Sequence, residues 1–140
     1  MTILATVNDV HILKLPSFVE AGSSLIVAES LAQIPHTISR AFFVTSQTEQ
    51  IRGNHAHRTC NQTLICVSGA VEVIVNDGVN QRNITLDQPQ KALSIPATIW
   101  AAQIYKEEPS ILLVLCDKLF EESDYIRTHS DFIEWRMSHC

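Results

Sequence analysis

The stretch Arg52-Gly53-Asn54-His55-Ala56-His57-Arg58-Thr59-Cys60-Asn61-Gln62 runs directly into Thr63–Gly78, TLICVSGAVEVIVNDG. The second half speaks for the fold. Val71-Glu72-Val73-Ile74-Val75 reads as an alternating strand, and Asn76-Asp77-Gly78 offers residues that tolerate positive φ in a tight hairpin turn, so a β-hairpin is expected here. The first half raises the question of chemistry. Residues two apart on a strand point to one face, so His55 and His57 project together while Ala56 faces the other way.

Outward from this hairpin, short β-branched segments ended by turn residues dominate the chain. Strands are expected at about Val7–Lys14, Ser23–Glu29, Ser39–Thr45, Ile51–His57, Gln62–Ser68, Ala70–Asn76, Asn83–Leu86, Lys91–Ile95, Trp100–Ile104 and Ser110–Asp117. Many short strands with no repeated helix between them imply an all-β sandwich or barrel, and residues 1–140 read as one domain. Only the tail changes character: Ser123–Arg127 and then SDFIEWRM suit one or two short helical turns, with Ser130 or Asp131 as cap.

Apolar residues make up 46% of the chain and charged residues 18%, a globular and not a disordered composition. A formal charge of −5 provides no basic surface for nucleic acid. The N-terminal residues lack a cationic region followed by an apolar run and cleavage site, and Ile111–Cys116 is too short an apolar run to cross a bilayer. A soluble, cytoplasmic protein with no membrane partner is expected. Cys60, Cys66, Cys116 and Cys140 show no CxxC spacing and read as free thiols, with Cys66 and Cys116 as small core residues.

Two histidines facing one cavity serve as metal ligands, as acid–base groups, or as satisfied polar residues of a barrel interior. After His57 come four residues, Gln62, six more residues and Gly69. That spacing resembles the first motif of the cupin superfamily, with Gln62 in place of its glutamate. The second cupin motif supplies a further histidine after a proline turn; the matching segment, Leu93–Ala101, has Pro96 and no histidine. A transition metal wants three or four N, O or S ligands, whereas a glutamine amide is a poor one and Ala101 is none. Cys60 is the one spare donor nearby. No metal and no other cofactor is therefore expected, and acid–base chemistry gains weight, because an imidazole takes and returns a proton near neutral pH.

IRGNHAHR, then NQTLICVSGAVEVIVNDG, then LSIPATIW, and finally ESDYIRTHSDF resemble the sugar 3,4-ketoisomerases that act on TDP-4-keto-6-deoxyglucose, over roughly Ser39 to Phe132. The resemblance implies a small jelly-roll cupin that moves the ketone from C4 to C3 of a nucleotide-linked sugar without metal. The product would pass to a PLP-dependent aminotransferase for 3-amino sugar biosynthesis, as in lipopolysaccharide O-antigens. It also implies a homodimer. Carried over, His57 is the base and His55 its partner in proton relay or in stabilising the enediolate oxygen. Arg52 and Arg40 are the groups to meet the pyrophosphate, since guanidinium forks match phosphate oxygens. Gln62 would contact a sugar hydroxyl or hold a histidine tautomer, and Trp100 would pack on the sugar or thymine. Asp124, Tyr125 and Arg127 match the family's tail and read as packing around the barrel mouth; Arg58 reads as a solvated surface residue.

Two positions depart from the family pattern. Ala101 follows the tryptophan where relatives carry His or Arg, which leaves the C4 configuration of the product open, and Phe43 stands where a tyrosine is common. Two other readings remain: a metal-dependent cupin using His55, His57 and Cys60, and a non-catalytic cupin that binds nucleotide sugars.

Overall fold

Antiparallel hydrogen-bond ladders pair the strands into two five-stranded sheets. The computed structural model describes residues 3–140. One five-stranded sheet is ordered β1 (His11–Lys14), β9 (Lys91–Ile95), β6 (Gln62–Ser68), β11 (Ser110–Cys116), β4 (Arg40–Ser46). The other is ordered β12 (Tyr125–Ile126), β5 (Ile51–His57), β10 (Trp100–Tyr105), β7 (Val71–Asn76), β8 (Gln81–Leu86). All these pairings are antiparallel. A separate hairpin joins β2 (Ser17–Glu20) to β3 (Ser23–Ile26).

The main core lies between the two sheets. Val71, Val73 and Val75 are fully buried there against Leu64, Leu93 and Leu112, while Glu72, Ile74 and Asn76 are only half-buried. Each such aliphatic side chain stabilises the fold by about 1.5–3 kcal/mol relative to exposure. The expected hairpin is present: Asn76 pairs with Gln81, and the intervening turn is held by Asp77, whose Oδ1 accepts from the N–H groups of Val79 (2.9 Å) and Asn80 (2.7 Å). Asp77 Oδ2 also accepts from Val7 N–H at 2.9 Å, tying the N-terminal segment to the barrel end.

Three expectations need correction. The first strand begins only at His11, because Thr6 and Asp9 form a reciprocal cap that turns Val7–Asp9 into a 3₁₀ helix. Where one strand was expected over Ser23–Glu29 there is the β2–β3 hairpin, missed because its β2 side chains are exposed on both faces and show no alternation in burial. The tail forms a full α-helix, α1 (His129–His139), capped by Thr128, whose Oγ accepts from Asp131 N–H at 3.3 Å, and not by Ser130 or Asp131. No helix among the described residues is long and apolar enough to cross a membrane.

Helix α1 covers the outer face of the second sheet. Phe132, fully buried, packs with Ala56, Trp100 and Ile126. This small satellite core holds β12 on the edge of β5. Phe132→Ala leaves a void that neighbouring strands cannot fill, so a loss of about 3–5 kcal/mol is expected in urea denaturation; a loss below about 1 kcal/mol would show that α1 is a dispensable appendage.

Candidate active site

Strand β5 carries a bulge that decides which side chains meet. Against β10 the register runs Ile51↔Ile104, Arg52↔Gln103, Gly53↔Ala102 and then His55↔Ala101, so Asn54 is an extra residue. Gly53 (φ 82°) and Asn54 (φ 56°) both adopt the left-handed region, which glycine enters freely and asparagine tolerates. Strict alternation would send Arg52 and His55 to opposite faces; the extra residue restores the phase, and both border one cleft. A Cβ at Gly53 would lie 2.6 Å from Gln103 Oε1, the movable end of that side chain, and 3.1 Å from the Ala101 carbonyl. The cleft, about 420 Å³ counting its open mouth, lies between the sheets, with Arg52, His55 and Gln103 from one and Phe42, Gln62 and Leu64 from the other.

His57 stands beside this cleft in a closed hydrogen-bond arrangement. Its Nδ1–H donates to Asp124 Oδ2 at 3.0 Å. Asp124 also accepts from Thr59 N–H (2.8 Å), Thr59 Oγ1–H (2.7 Å) and Cys60 N–H (3.2 Å). Burial pushes the Asp124 carboxyl up, but the hydrogen bonds from Thr59 and His57 outweigh it and hold the group below the usual carboxylate range. With Nδ1 protonated, the lone pair of His57 resides on Nε2, which is buried and has no hydrogen-bond partner among the described residues. Burial lowers the His57 pKa and Asp124 partly offsets this, so the ring is neutral at neutral pH. His55 lies edge-on at 5.1 Å between centroids and is pushed down to about 4 by burial and by the neighbouring His57.

Tyr125 completes the cluster, its ring 4.3 Å from His57 and 5.1 Å from His55. Arg40 donates to the Tyr125 hydroxyl at 3.2 Å and lies over the rings of Phe42 (4.6 Å) and Phe120 (5.1 Å). Thus His55, His57, Arg40, Arg52 and Gln62, all singled out from sequence, converge from three strands, β4, β5 and β6. Trp100 does not join them. Position 101, paired with His55, faces inward, so position 100 faces outward, and the indole is buried beneath α1 against Phe132 and His129. Its expected contact with sugar or thymine is therefore replaced by a packing role. Arg58 is also corrected: its Nη1 donates to the carbonyls of Ser123 (2.7 Å) and Tyr125 (2.9 Å) and fastens the tail to the end of β5.

Asp124 and Tyr125 were visible in the sequence only as a tail resemblance, and read as packing; their approach to the histidines depends on β12 pairing with β5, Tyr125↔His57 and Ile126↔Ala56. Gln103 was not singled out from sequence; it faces inward by plain alternation along β10, two residues after Ala101 and opposite buried Val73. The donor set of metal-dependent cupins is not assembled around the His55–His57 pair. The Gln62 amide donates to Cys116 Sγ at 3.5 Å, Ala101 has no donor atom, and His57 Nδ1 is committed to Asp124.

Two packed antiparallel sheets enclosing a histidine pair define a cupin-like protein. The family model described as FdtA, WxcM-like, C-terminal, matches residues 8–137, and the chain belongs to that family. It is 30% identical over 122 residues to the TDP-4-oxo-6-deoxy-alpha-D-glucose-3,4-oxoisomerase of Aneurinibacillus thermoaerophilus, covering 86% of this chain and 88% of that one. A 3,4-ketoisomerase from Helicobacter canadensis superposes with a TM-score of 0.89 at 32% identity, over 92% of this chain and 98% of the other. The sugar 3,4-ketoisomerase QdtA from Thermoanaerobacterium thermosaccharolyticum, solved with TDP, gives a TM-score of 0.89 at 27% identity over 94% and 96% of the two chains.

The contact between His57 and Asp124 yields a prediction with a sign. Asp124 raises the His57 pKa against the burial that lowers it. In Asp124→Asn, kcat is expected to fall about 100-fold as the His57 ring loses its orientation and charge support. The acid limb of the kcat/KM profile should then move to lower pH, because the protonated ring is no longer favoured. A pH–rate series in which neither rate nor limb changes would reduce the contact to packing.

Proposed function

We propose that this protein is a TDP-4-keto-6-deoxyglucose 3,4-ketoisomerase, an intramolecular oxidoreductase in which a neutral His57 moves the proton. The observation that carries the assignment of roles is the buried, unpartnered Nε2 of His57 opposite an Nδ1–H fixed by Asp124. The hydrogen on C3 is acidified by the adjacent C4 carbonyl. Nε2 takes it, and the electron pair of the C3–H bond moves into the ring as the C4 oxygen gains charge. Asp124 stabilises the imidazolium so formed without becoming protonated. The hydrogen of the C3 hydroxyl passes to the C4 oxygen, C4 takes back a proton, and the product is the 3-keto sugar. No electron leaves the substrate, so no redox partner is required.

His55, neutral and edge-on to His57, is placed to relay the proton between O3 and O4 or to donate to the enediolate oxygen. Arg52, exposed at the cleft, is the group for the pyrophosphate, where a guanidinium fork binds phosphate oxygens in pairs. Arg40 is held by Tyr125 and two phenyl rings, which suits it to a fixed contact with the nucleotide sugar. Gln62 lines the same cleft and would meet a sugar hydroxyl. A 3-keto sugar is the electrophile a PLP-dependent aminotransferase consumes, and the four free cysteines agree with a reducing, cytoplasmic setting.

The deciding experiment follows TDP-4-keto-6-deoxyglucose by NMR in deuterated water. Loss of the C3 proton signal and appearance of a 3-keto product, both absent with His57→Asn, are expected, and the coupling at the new C4 centre reads the configuration that Ala101 permits. TDP binding without exchange would overturn the catalytic reading in favour of a nucleotide-sugar binder.

We further propose a homodimer. Phe18, Val19 and Leu25 of the β2–β3 hairpin are 60%, 78% and 63% exposed, an apolar group beside the β1 edge that a second copy would cover. Light scattering should give twice the chain mass, and Val19→Asp should shift it toward the monomer; a monomeric parent protein would remove this assignment.

A further inference from the structure

The one cluster of metal-binding side chains among the described residues is not the cupin set. Ligand atoms of His57, Cys60 and Asp124 all lie within 4.8 Å of one another. His57 and Cys60 are buried and Asp124 is half-buried. The three come from the end of β5, the turn after it and the tail, and the Cys60 N–H bond to Asp124 fixes the thiol's residue against the carboxylate. The thiol makes only a weak 3.5 Å contact to the carbonyl of its own neighbour Asn61 besides its approach to Cys116.

The geometry is close to what a tetrahedral ion needs. Zinc bonds of about 2.0 Å to N or O and 2.3 Å to S place neighbouring ligand atoms roughly 3.3–3.6 Å apart. The His57–Asp124 pair is already 3.0 Å apart and no pair of ligand atoms exceeds 4.8 Å, so the set must adjust by about 1.5 Å or less. Charge also balances. A carboxylate and a thiolate neutralise a divalent cation, which is the condition for holding one in a buried site. A thiolate with an imidazole selects a borderline cation such as Zn²⁺ over Mg²⁺ or Ca²⁺, which want oxygen.

We propose that His57, Cys60 and Asp124 form an inhibitory binding site for a borderline divalent cation, Zn²⁺ above all, which takes the proton's place between imidazole and carboxylate. The ion bonds to Nδ1 of His57, to a carboxylate oxygen of Asp124 and to Sγ of Cys60, whose proton leaves to solvent; water fills the fourth position. The imidazole hydrogen moves from Nδ1 to Nε2. That shift removes the lone pair which the proposed mechanism uses, so the bound ion silences the base. The inhibition rests on the assignment of His57 as base, whereas the binding does not.

The test therefore separates the two. Cobalt(II) titrated into the full-length protein should give one thiolate-to-cobalt charge-transfer band per chain, saturating at one ion. The band should persist in Cys140→Ser, which removes the exposed thiol, and vanish in Cys60→Ser, which keeps the backbone donor to Asp124. Zn²⁺ should displace the cobalt, and Zn²⁺ alone should bind Cys60→Ser at least 100-fold more weakly by calorimetry. A band that survives Cys60→Ser, or equal zinc affinity in the two proteins, overturns the site. In the isomerase assay Zn²⁺ should abolish turnover, EDTA should restore it, Mg²⁺ should do neither, and the inhibitory zinc concentration should rise at least 100-fold in Cys60→Ser relative to that variant's own metal-free rate. Zinc bound at this site with turnover unchanged overturns its inhibitory role and removes His57 as base; failure of binding leaves the base assignment untouched.

Discussion

One carboxylate, arriving 67 residues after the histidine it serves, organises the mouth of the barrel. Asp124 is partly withdrawn from water, and a buried charge is tolerated only when its lone pairs are filled. Four donors fill them: the His57 ring, the Thr59 amide and hydroxyl, and the Cys60 amide. Hydrogen bonds to a charged group contribute about 1.5–3 kcal/mol each, so the tail cannot leave β5 without exposing several at once. The same contacts that fasten the tail fix the tautomer of His57. Fold and reactivity thus share a single set of bonds, and a change at Asp124 touches both.

The bulge at Gly53-Asn54 is the second constraint. Along an ideal strand a cationic side chain three residues from a histidine faces away from it. Two consecutive left-handed residues reverse that outcome at the cost of one lost ladder position, and the cleft gains Arg52. Glycine suits the first of the two, because its φ of 82° lies in a region that side-chain-bearing residues rarely adopt. Gln103, inward-facing by the regular alternation of β10, adds an amide to the same cleft as Gln62.

Local patterns made much of this legible in the sequence. The valine alternation of β7, the Asp77 turn and the His-Ala-His spacing are all short-range signals, and the structure places each as that reading expects. Arg40, Arg52 and Gln62 were reached through guanidinium and amide chemistry together with family resemblance. What stayed hidden depends on long-range pairing. The function of Asp124 requires β12 to find β5, and a two-residue strand has no periodicity to announce it. Trp100 was misread for a related reason: its face follows from a register with His55 that only the assembled sheet defines.

The second sheet therefore keeps chemistry and packing on opposite sides of the same strands. His55, His57 and Ala101 point inward, while Ala56 and Trp100 point outward under Phe132. At the edge, β12 repeats this division in two residues, Tyr125 against the imidazoles and Ile126 in the satellite core. Packing of α1 on the outer face thereby sets the position of Tyr125 and Asp124 on the inner one, though α1 contributes no side chain to the histidine cluster. The tautomer of an imidazole is set by what its other nitrogen bonds to, so the packing that seats Asp124 also decides which nitrogen of His57 carries the proton.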